Sequence, residues 1–318
     1  MASAWQILTR PFREARKWAD FVKISHTVFA LPFALASMIV AARDQRGWPG
    51  WRTFLLIVGA MFFARTCAMA FNRIVDREFD AENPRTALRH LPTGEISPLS
   101  AWVLWGLSAA GFLVVTWHIN RLCFYLAPVA LLVVCGYSLT KRFTDFTHLF
   151  LGGALALAPI GAWLAVKGSF VLFPAVDKGS PFAHSALLPL LLAVAVVFWL
   201  TGFDIIYAIQ DYEFDRHRGL GSLVVRWGVD NALRAASLAH LIMVVVLGVF
   251  GLLAGFKVAY LIGLAVIFVC LAFEHWLARK RSLKWINVAF FRLNAIISVI
   301  FLLVVLTEVA LPWFRLQT

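Results

Sequence analysis

Charge is what this 318-residue chain has least of. Asp, Glu, Lys and Arg make up 14% of it against 61% hydrophobic residues, and mean hydropathy is +0.81. A soluble domain carries about 25% charged residues, so composition excludes an ordinary soluble fold and predicts a polytopic, all-α membrane protein. Acids are scarcer than bases, 17 against 29, which leaves a net charge of +12. No RNA- or DNA-binding motif accompanies that surplus, and nucleic acid is not expected as a partner. The bases fall mainly between apolar runs, where they suit topology signals and contact with anionic lipid of the bilayer. Cysteine is sparse as well. Cys67, Cys123, Cys135 and Cys270 form no CxxC pair and lie in apolar stretches, which predicts packing residues rather than metal or redox chemistry. No linker rich in Ser, Pro or Gly divides the chain, so residues 1–318 are expected to form one transmembrane domain. The first residues lack the pattern of a cleavable signal peptide. Residues 1–23 mix Trp5, Ile7, Leu8, Phe12, Trp18 and Phe21 with Arg10, Arg13, Arg16 and Lys17, as an amphipathic segment on a membrane surface does.

A membrane-crossing helix needs roughly 20 mostly apolar residues. Nine such runs are present, near 24–42, 52–71, 99–117, 121–140, 147–166, 187–208, 232–254, 258–277 and 287–310. The third and fourth are separated only by His118, Asn120 and Arg121. With a cytoplasmic N-terminus, the inner loops hold Arg73, Arg77, Arg85, Arg89, Lys141, Arg142, Arg216, Arg218, Arg226, Arg234, Arg279, Lys280, Arg281, Lys284 and Arg292. The outer side holds only Arg43, Arg46, Arg52, Arg121, Lys167, Lys178, Lys257 and Arg315. The excess of inner bases favours this orientation.

Acidic residues cluster twice, each time where an apolar run meets an inner loop. Asn72, Asp76 and Asp80 are spaced i, i+4, i+8, so a helix continuing through them would place all three on nearly one face. The second cluster is Asp204, Tyr207, Asp211 and Asp215. Their matching places predict two four-helix halves plus a ninth helix. Carboxylates near a membrane core are costly unless paired, hydrated or metal-bound. Magnesium is held by one or two carboxylates together with substrate phosphates and water. Two facing clusters, with Asn72, Asp76, Asp80, Asp211 and Asp215 as oxygen ligands, suit Mg²⁺ ions around a diphosphate, which they would turn into a better leaving group. Pairing with local arginines is the structural alternative. A cation-coupled transporter is the rival class, but its sites tend to lie near the membrane midplane rather than at helix ends.

Other residues gather at the same membrane level. Arg65, seven residues before Asn72, shares its helix face and can meet a diphosphate or a substrate carboxylate. Tyr137, Ser138 and Lys141 end the fourth run and can bind phosphate oxygens; Arg142 reads as an ordinary basic flank. The loop from Arg85 to Gly94 is expected to cap the site, offering Arg85 and Arg89 to anions. Asp204 and Tyr207, deeper than Asp211, are expected to touch an organic acceptor. Lys23, Ser25 and His26 enter the first run at this level.

Together the motifs resemble a known family. Asn72-x-x-x-Asp76-x-x-x-Asp80, followed by Arg85-Thr86 and Leu91-Pro92-Thr93-Gly94, resembles the first signature of the UbiA superfamily of intramembrane prenyltransferases. Tyr207-x-x-x-Asp211-x-x-x-Asp215 resembles the second. Ser25 to Ala34 and Tyr137 to Phe143 resemble the 4-hydroxybenzoate polyprenyltransferase branch. The first signature commonly reads Asn-Asp; here Arg73 follows Asn72, a form similar to a subgroup associated with menaquinone synthesis through futalosine. The resemblance implies nine transmembrane helices around a central cavity and Mg²⁺-dependent transfer from a polyprenyl diphosphate to a hydroxylated aromatic acid. The acceptor would be 4-hydroxybenzoate or dihydroxynaphthoate, in ubiquinone or menaquinone biosynthesis, at a bacterial inner membrane with the site facing the cytoplasm. Asp76 and Asp211, with Lys141, Asp204 and Tyr207, are the expected catalytic residues. Acceptors such as haem or a chlorophyll precursor remain within the superfamily.

Overall fold

Uninterrupted apolar runs fold as helices because a bilayer offers no water to open backbone groups. A computed structural model describes residues 4–173, 182, 184–280, 286 and 288–311. Among the described residues there is no strand, and nine helical stretches are long and apolar enough to cross a membrane. The helices are α1 (Ala4–Phe21), α2 (Thr27–Ala41), α3 (Trp51–Val75), α4 (Arg77–Glu82), α5 (Pro98–Ile119), α6 (Arg121–Gly136), α7 (Thr147–Lys167), α8 (Leu187–Ala208), α9 (Tyr212–Arg218), α10 (Leu223–Ala254), α11 (Val258–Ala278) and α12 (Asn294–Ala310). Residue 287, the expected start of the ninth run, and residues 1–3, Lys178, Arg281, Lys284 and Arg315 lie outside the described residues.

The most buried spans are α2 and α8. α8 packs between α7 and α10, α2 lies against α7 and α12, and α3 packs on α5. Phe33 of α2 stacks on Phe301 of α12 with ring centroids 4.8 Å apart, and meets Trp199 of α8 at 4.9 Å. Buried polar groups in this core are joined to each other, as a low-dielectric interior requires. The Trp199 indole donates to Asn294 Oδ1 at 2.7 Å, and Asn294 Nδ2 donates to Glu274 at 2.9 Å.

Capping explains boundaries that hydropathy leaves vague. Asn120, extended at φ −164° and ψ 167°, accepts the Cys123 N–H at 2.8 Å, while its amide donates to the Leu164 carbonyl at 2.9 Å. One side chain thus separates α5 from α6 and ties both to α7. A helical stretch begins at Leu223, ahead of the apolar run expected from 232. Ser222 caps it by accepting the Val225 N–H at 3.1 Å, and Gly228 (φ +77°, ψ 162°) breaks its regularity. The polar residues of this first stretch kept it out of the apolar run.

Two expectations are corrected. Residues 1–23 do not lie wholly on a surface. The helix α1 forms, with Phe12 exposed, but Phe21 and Val22 are buried in a small core with Ala70, Leu91, Ile96 and Ala101. Nor does one helix run through Asn72, Asp76 and Asp80. α3 stops at Val75, Asp76 takes φ −93° and ψ 3°, and the chain restarts as α4. The second cluster repeats this: α8 gives way to a 3₁₀ turn over Ile209–Asp211, and Asp211 takes φ −101° and ψ 2° before α9. The matching breaks agree with two halves of similar design. At the first, Arg142 donates to the Val75 carbonyl, satisfying a group that the interrupted helix leaves open.

Candidate active site

The breaks bring the ends of α3, α6 and α8 and the start of α2 together at one end of the bundle. Asp76 is buried there. Asn72 Nδ2 donates to its Oδ2 at 3.0 Å, Lys141 Nζ stands 3.2 Å from the same oxygen, and Arg142 lies 3.7 Å from Oδ1. Burial raises the Asp76 carboxyl above the usual carboxylate range, and Lys141 pulls it back. Asp80, one turn on, accepts from Arg89 Nη1 at 2.7 and 2.8 Å, with Arg73 Nη1 at 4.0 Å.

The second cluster is held by residues that follow the first. Arg85 forks onto Asp211, Nε to Oδ1 at 2.8 Å and Nη2 to Oδ2 at 2.5 Å, and its Nη1 donates to the Tyr207 hydroxyl at 2.8 Å. Asn83 Nδ2 adds a 2.9 Å bond to Asp211 Oδ1. Asp215, partly buried, stands in the field of Asp211 and Lys141. The 83–89 segment therefore bridges the two clusters, Asn83 and Arg85 holding Asp211 and Arg89 holding Asp80. Of the two readings of the acids, these contacts show the pairing with local cations; Asp76, Asp80, Asp211 and Asp215 are not themselves in the cavity lining, but Asn72 beside Asp76 and Arg89 beside Asp80 are.

Beside these clusters lies a cavity of 400 Å³. Its walls are mostly small and apolar: Ala64 and Ala68 of α3, Ala127 and Ala130 of α6, Ala158 and Gly161 of α7, with Ile57, Met61, Phe112 and Leu155. The alanines and glycine leave the space, and bulkier side chains make it dry. From Ile57 to Asn72, both on the wall, α3 rises about 22 Å, much of the ~30 Å hydrocarbon thickness. The polar end is formed by Lys23, His26, Arg65, Asn72, Arg73, Arg89, Tyr137, Asp204 and Tyr207. Burial, and then Arg73 nearby, hold Lys23 below the ordinary lysine range. Arg65 Nη2 reaches the Lys23 carbonyl at 3.4 Å. His26 also contacts the Phe29 and Phe291 rings at 5.4 and 5.2 Å.

Some placements differ from expectation. Tyr137 to Arg142 form a 3₁₀ turn, so Tyr137 and Lys141 do not align as an i, i+4 pair. Tyr137 lines the cavity while Lys141 turns to Asp76. Ser138 is buried and outside the cavity lining. Arg142, read as a basic flank, takes part in the Asp76 cluster. Arg73, which stands where the first signature commonly has Asp, supplies a cation to the cavity wall. His148 was missed altogether. It is 1%-exposed on α7 (side chain 2%), its Nδ1 is 2.7 Å from Asp204 Oδ2, and its Nε2 is buried without a hydrogen-bond partner. A histidine just inside an apolar run, at the level of the acids, is the signal that marks it.

The donor set fits a hard cation. Asp76 Oδ1 is buried and receives no hydrogen bond, with Arg142 3.7 Å away, and the oxygen-bearing side chains of Asn72 and Asp80 stand on either side of it in sequence. Among the described residues no three Asp, Glu, His or Cys side chains converge to hold a metal, so an ion here would complete its shell with water and phosphate oxygens.

The cavity is thus an apolar slot with a polar, mostly cationic end, inside a bundle of helices long and apolar enough to cross a membrane. The chain belongs to the UbiA prenyltransferase family, which it matches over residues 30–296. It is 29% identical over 250 residues, 78% of this chain and 79% of the relative, to a 4-hydroxybenzoate octaprenyltransferase of Marinobacter nauticus. With a mitochondrial 4-hydroxybenzoate polyprenyltransferase of Arabidopsis thaliana it shares 29% over 233 residues, 73% of this chain and 54% of that protein. Among solved structures, a UbiA homologue from Aeropyrum pernix K1 superposes with a TM-score of 0.75 at 29% identity, covering 87% of this chain and 95% of that one. A homologue from Archaeoglobus fulgidus, bound to GPP and Mg²⁺, shares the fold at a TM-score of 0.66 and 20% identity, covering 91% and 99%.

Proposed function

We propose that this enzyme transfers a polyprenyl group from a polyprenyl diphosphate to a hydroxylated aromatic carboxylic acid, 4-hydroxybenzoate first. The observation that carries the reading is the join between a dry cavity spanning much of the membrane and a polar end beside clusters of acids and cations. The prenyl tail lies in the cavity. Asn72, Asp76, Asp80, Asp211 and Asp215 hold Mg²⁺, whose chemistry is to draw charge from the departing diphosphate. Arg85, Arg89 and Lys141 exchange their carboxylate partners for the diphosphate oxygens. Arg65 receives the acceptor's carboxylate, and Asp204 and Tyr207 face its ring. The allylic C–O bond breaks, a C–C bond forms at the ring carbon ortho to the hydroxyl, and the ring proton leaves, with Asp204 the carboxylate on the wall placed to receive it. The apolar lining keeps water from the allylic cation. The named relatives act on 4-hydroxybenzoate, which supports that acceptor. Arg73 beside Asn72 favours dihydroxynaphthoate as the second candidate.

The test is diphosphate release and product formation in proteoliposomes with a labelled donor. Transfer to 4-hydroxybenzoate is expected with Mg²⁺, is abolished by EDTA, and falls by about 100-fold or more in Asp76→Ala or Asp211→Ala. Undiminished transfer by either variant would refute the site; product with dihydroxynaphthoate alone would reassign the acceptor.

A further inference from the structure

A second pocket, of 290 Å³, opens between α10 and α11 and shares no lining residue with the catalytic cavity. Its walls are Asp230, Leu233, Arg234 and Ser237 of α10 and, from α11 and its cap, His275 and Arg279. It lies at the same membrane end as the acidic clusters, because α10 starts just after α9. The inner wall is built rather than incidental. Ser237 Oγ and His275 Nδ1 are 3.2 Å apart, His275 Nε2 and His240 Nδ1 2.9 Å, and His240 Nε2 lies 3.1 Å from the Trp199 carbonyl of α8. Both ring nitrogens of His275 are thus engaged, so the arginines are the pocket's available donors. Arg234 and Arg279 come from opposite walls, are exposed, and form no ion pair among the described residues. With Asp230 included the pocket remains net positive. Toward the membrane, Ser237 continues along its helix face into exposed Leu241 and Val245, and His275 into exposed Phe268. A cationic cup above an apolar stripe, at the interface, matches a molecule with an anionic head and hydrocarbon tails.

We propose that the pocket between α10 and α11 binds a phosphate ester carried by an anionic phospholipid. Arg234 and Arg279 take the phosphate oxygens, and the acyl chains lie along Leu241, Val245 and Phe268. Guanidinium groups suit this role because their forked donors match phosphate geometry. The histidine relay ties the pocket to α8, the helix that carries Asp204.

Native mass spectrometry of the full chain, released from bilayers of phosphatidylglycerol or of phosphatidylcholine, tests this. The wild type is expected to retain phosphatidylglycerol in preference to phosphatidylcholine. The double variant Arg234→Gln/Arg279→Gln is expected to bind it about thirtyfold more weakly. Arg121→Gln/Arg46→Gln, which removes exposed charge elsewhere, is expected to retain it fully. Unchanged prenyl transfer by the double variant shows that it is folded. Inorganic phosphate is the second arm: competition by it means that the phosphate alone is read, and its failure to compete means that the acyl chains are needed as well. Equal retention of the two lipids by the wild type, undiminished binding by Arg234→Gln/Arg279→Gln, or equal loss in the control pair would overturn the proposal.

Discussion

Arg85, Arg89 and Lys141 hold Asp211, Asp80 and Asp76 as charge-assisted pairs, and their geometry shows how the site tolerates so many acids near hydrocarbon. An unpaired buried carboxylate is expensive, whereas a hydrogen-bonded pair returns much of that cost. The same cations are the groups a diphosphate would recruit. His148 acts one step further back. Its bond fixes one oxygen of Asp204, a residue of the cavity wall, so His148→Leu is expected to cut acceptor turnover by about 100-fold through misplacement of Asp204. His148→Gln, which keeps a donor, should recover part of that loss. Steady-state kinetics varying acceptor and donor separately check this: the defect belongs on the acceptor side, and equal defects for both substrates would instead mean that the helix has shifted. Asp76, Asp80, Asp211 and Asp215 were legible as candidates because spacing alone marks them. His148 was not, because its partner is 56 positions away and only packing brings them together.

At the level of elements, close helix contacts position these side chains. A Cβ on Gly152 of α7 would stand 2.7 Å from the Val197 carbonyl of α8, so the two backbones touch. Helices in membranes associate through such small residues. Gly152→Leu is expected to cost about 1–3 kcal/mol by overpacking, read as a lower thermal midpoint in detergent, and to separate His148 from Asp204. A midpoint equal to wild type would show that α7 and α8 can part freely. Gly221 serves Lys141 in a similar way. Its N–H donates to the Lys141 carbonyl at 2.7 Å, and a Cβ there would meet the Thr144 carbonyl at 2.4 Å. The helix breaks at Asp76 and Asp211 belong to this scale too. Sequence periodicity extends a helix until a proline or glycine stops it, and neither residue stands at these breaks. The first is marked instead by a guanidinium from another helix taking the Val75 carbonyl.

For the whole molecule, the cavity sets which donors fit. Ala127 is buried on its wall. Ala127→Trp is expected to reduce use of octaprenyl diphosphate by about tenfold or more while geranyl diphosphate is still accepted. A competition assay with both donors measures the ratio; an unchanged ratio would place the tail elsewhere. Orientation is a property of the same scale. Gln45 and Glu213 are exposed near opposite ends of the bundle, while Cys67, Cys123 and Cys135 are buried. In intact cells, Gln45→Cys is expected to react with a membrane-impermeant maleimide and Glu213→Cys only after permeabilisation, consistent with the distribution of basic residues. The reverse pattern would invert the topology.

Hydropathy and motif spacing by themselves determined that the chain is all-helical, that it has nine runs long and apolar enough to cross a membrane, and which acids are candidates, because these depend on local composition and on the helical repeat. Only the tertiary structure decided the partners. It set Arg85 on Asp211, Arg89 on Asp80, Lys141 rather than Tyr137 on Asp76, and His148 behind Asp204, and it buried Phe21 of the N-terminal segment. Most of these contacts join separate loops, turns and helix ends, across as many as 126 positions of sequence for Arg85 and Asp211. Their physical basis is the cost of leaving a charge or polar group unpaired in a low-dielectric interior, a cost that exists only after the helices have packed.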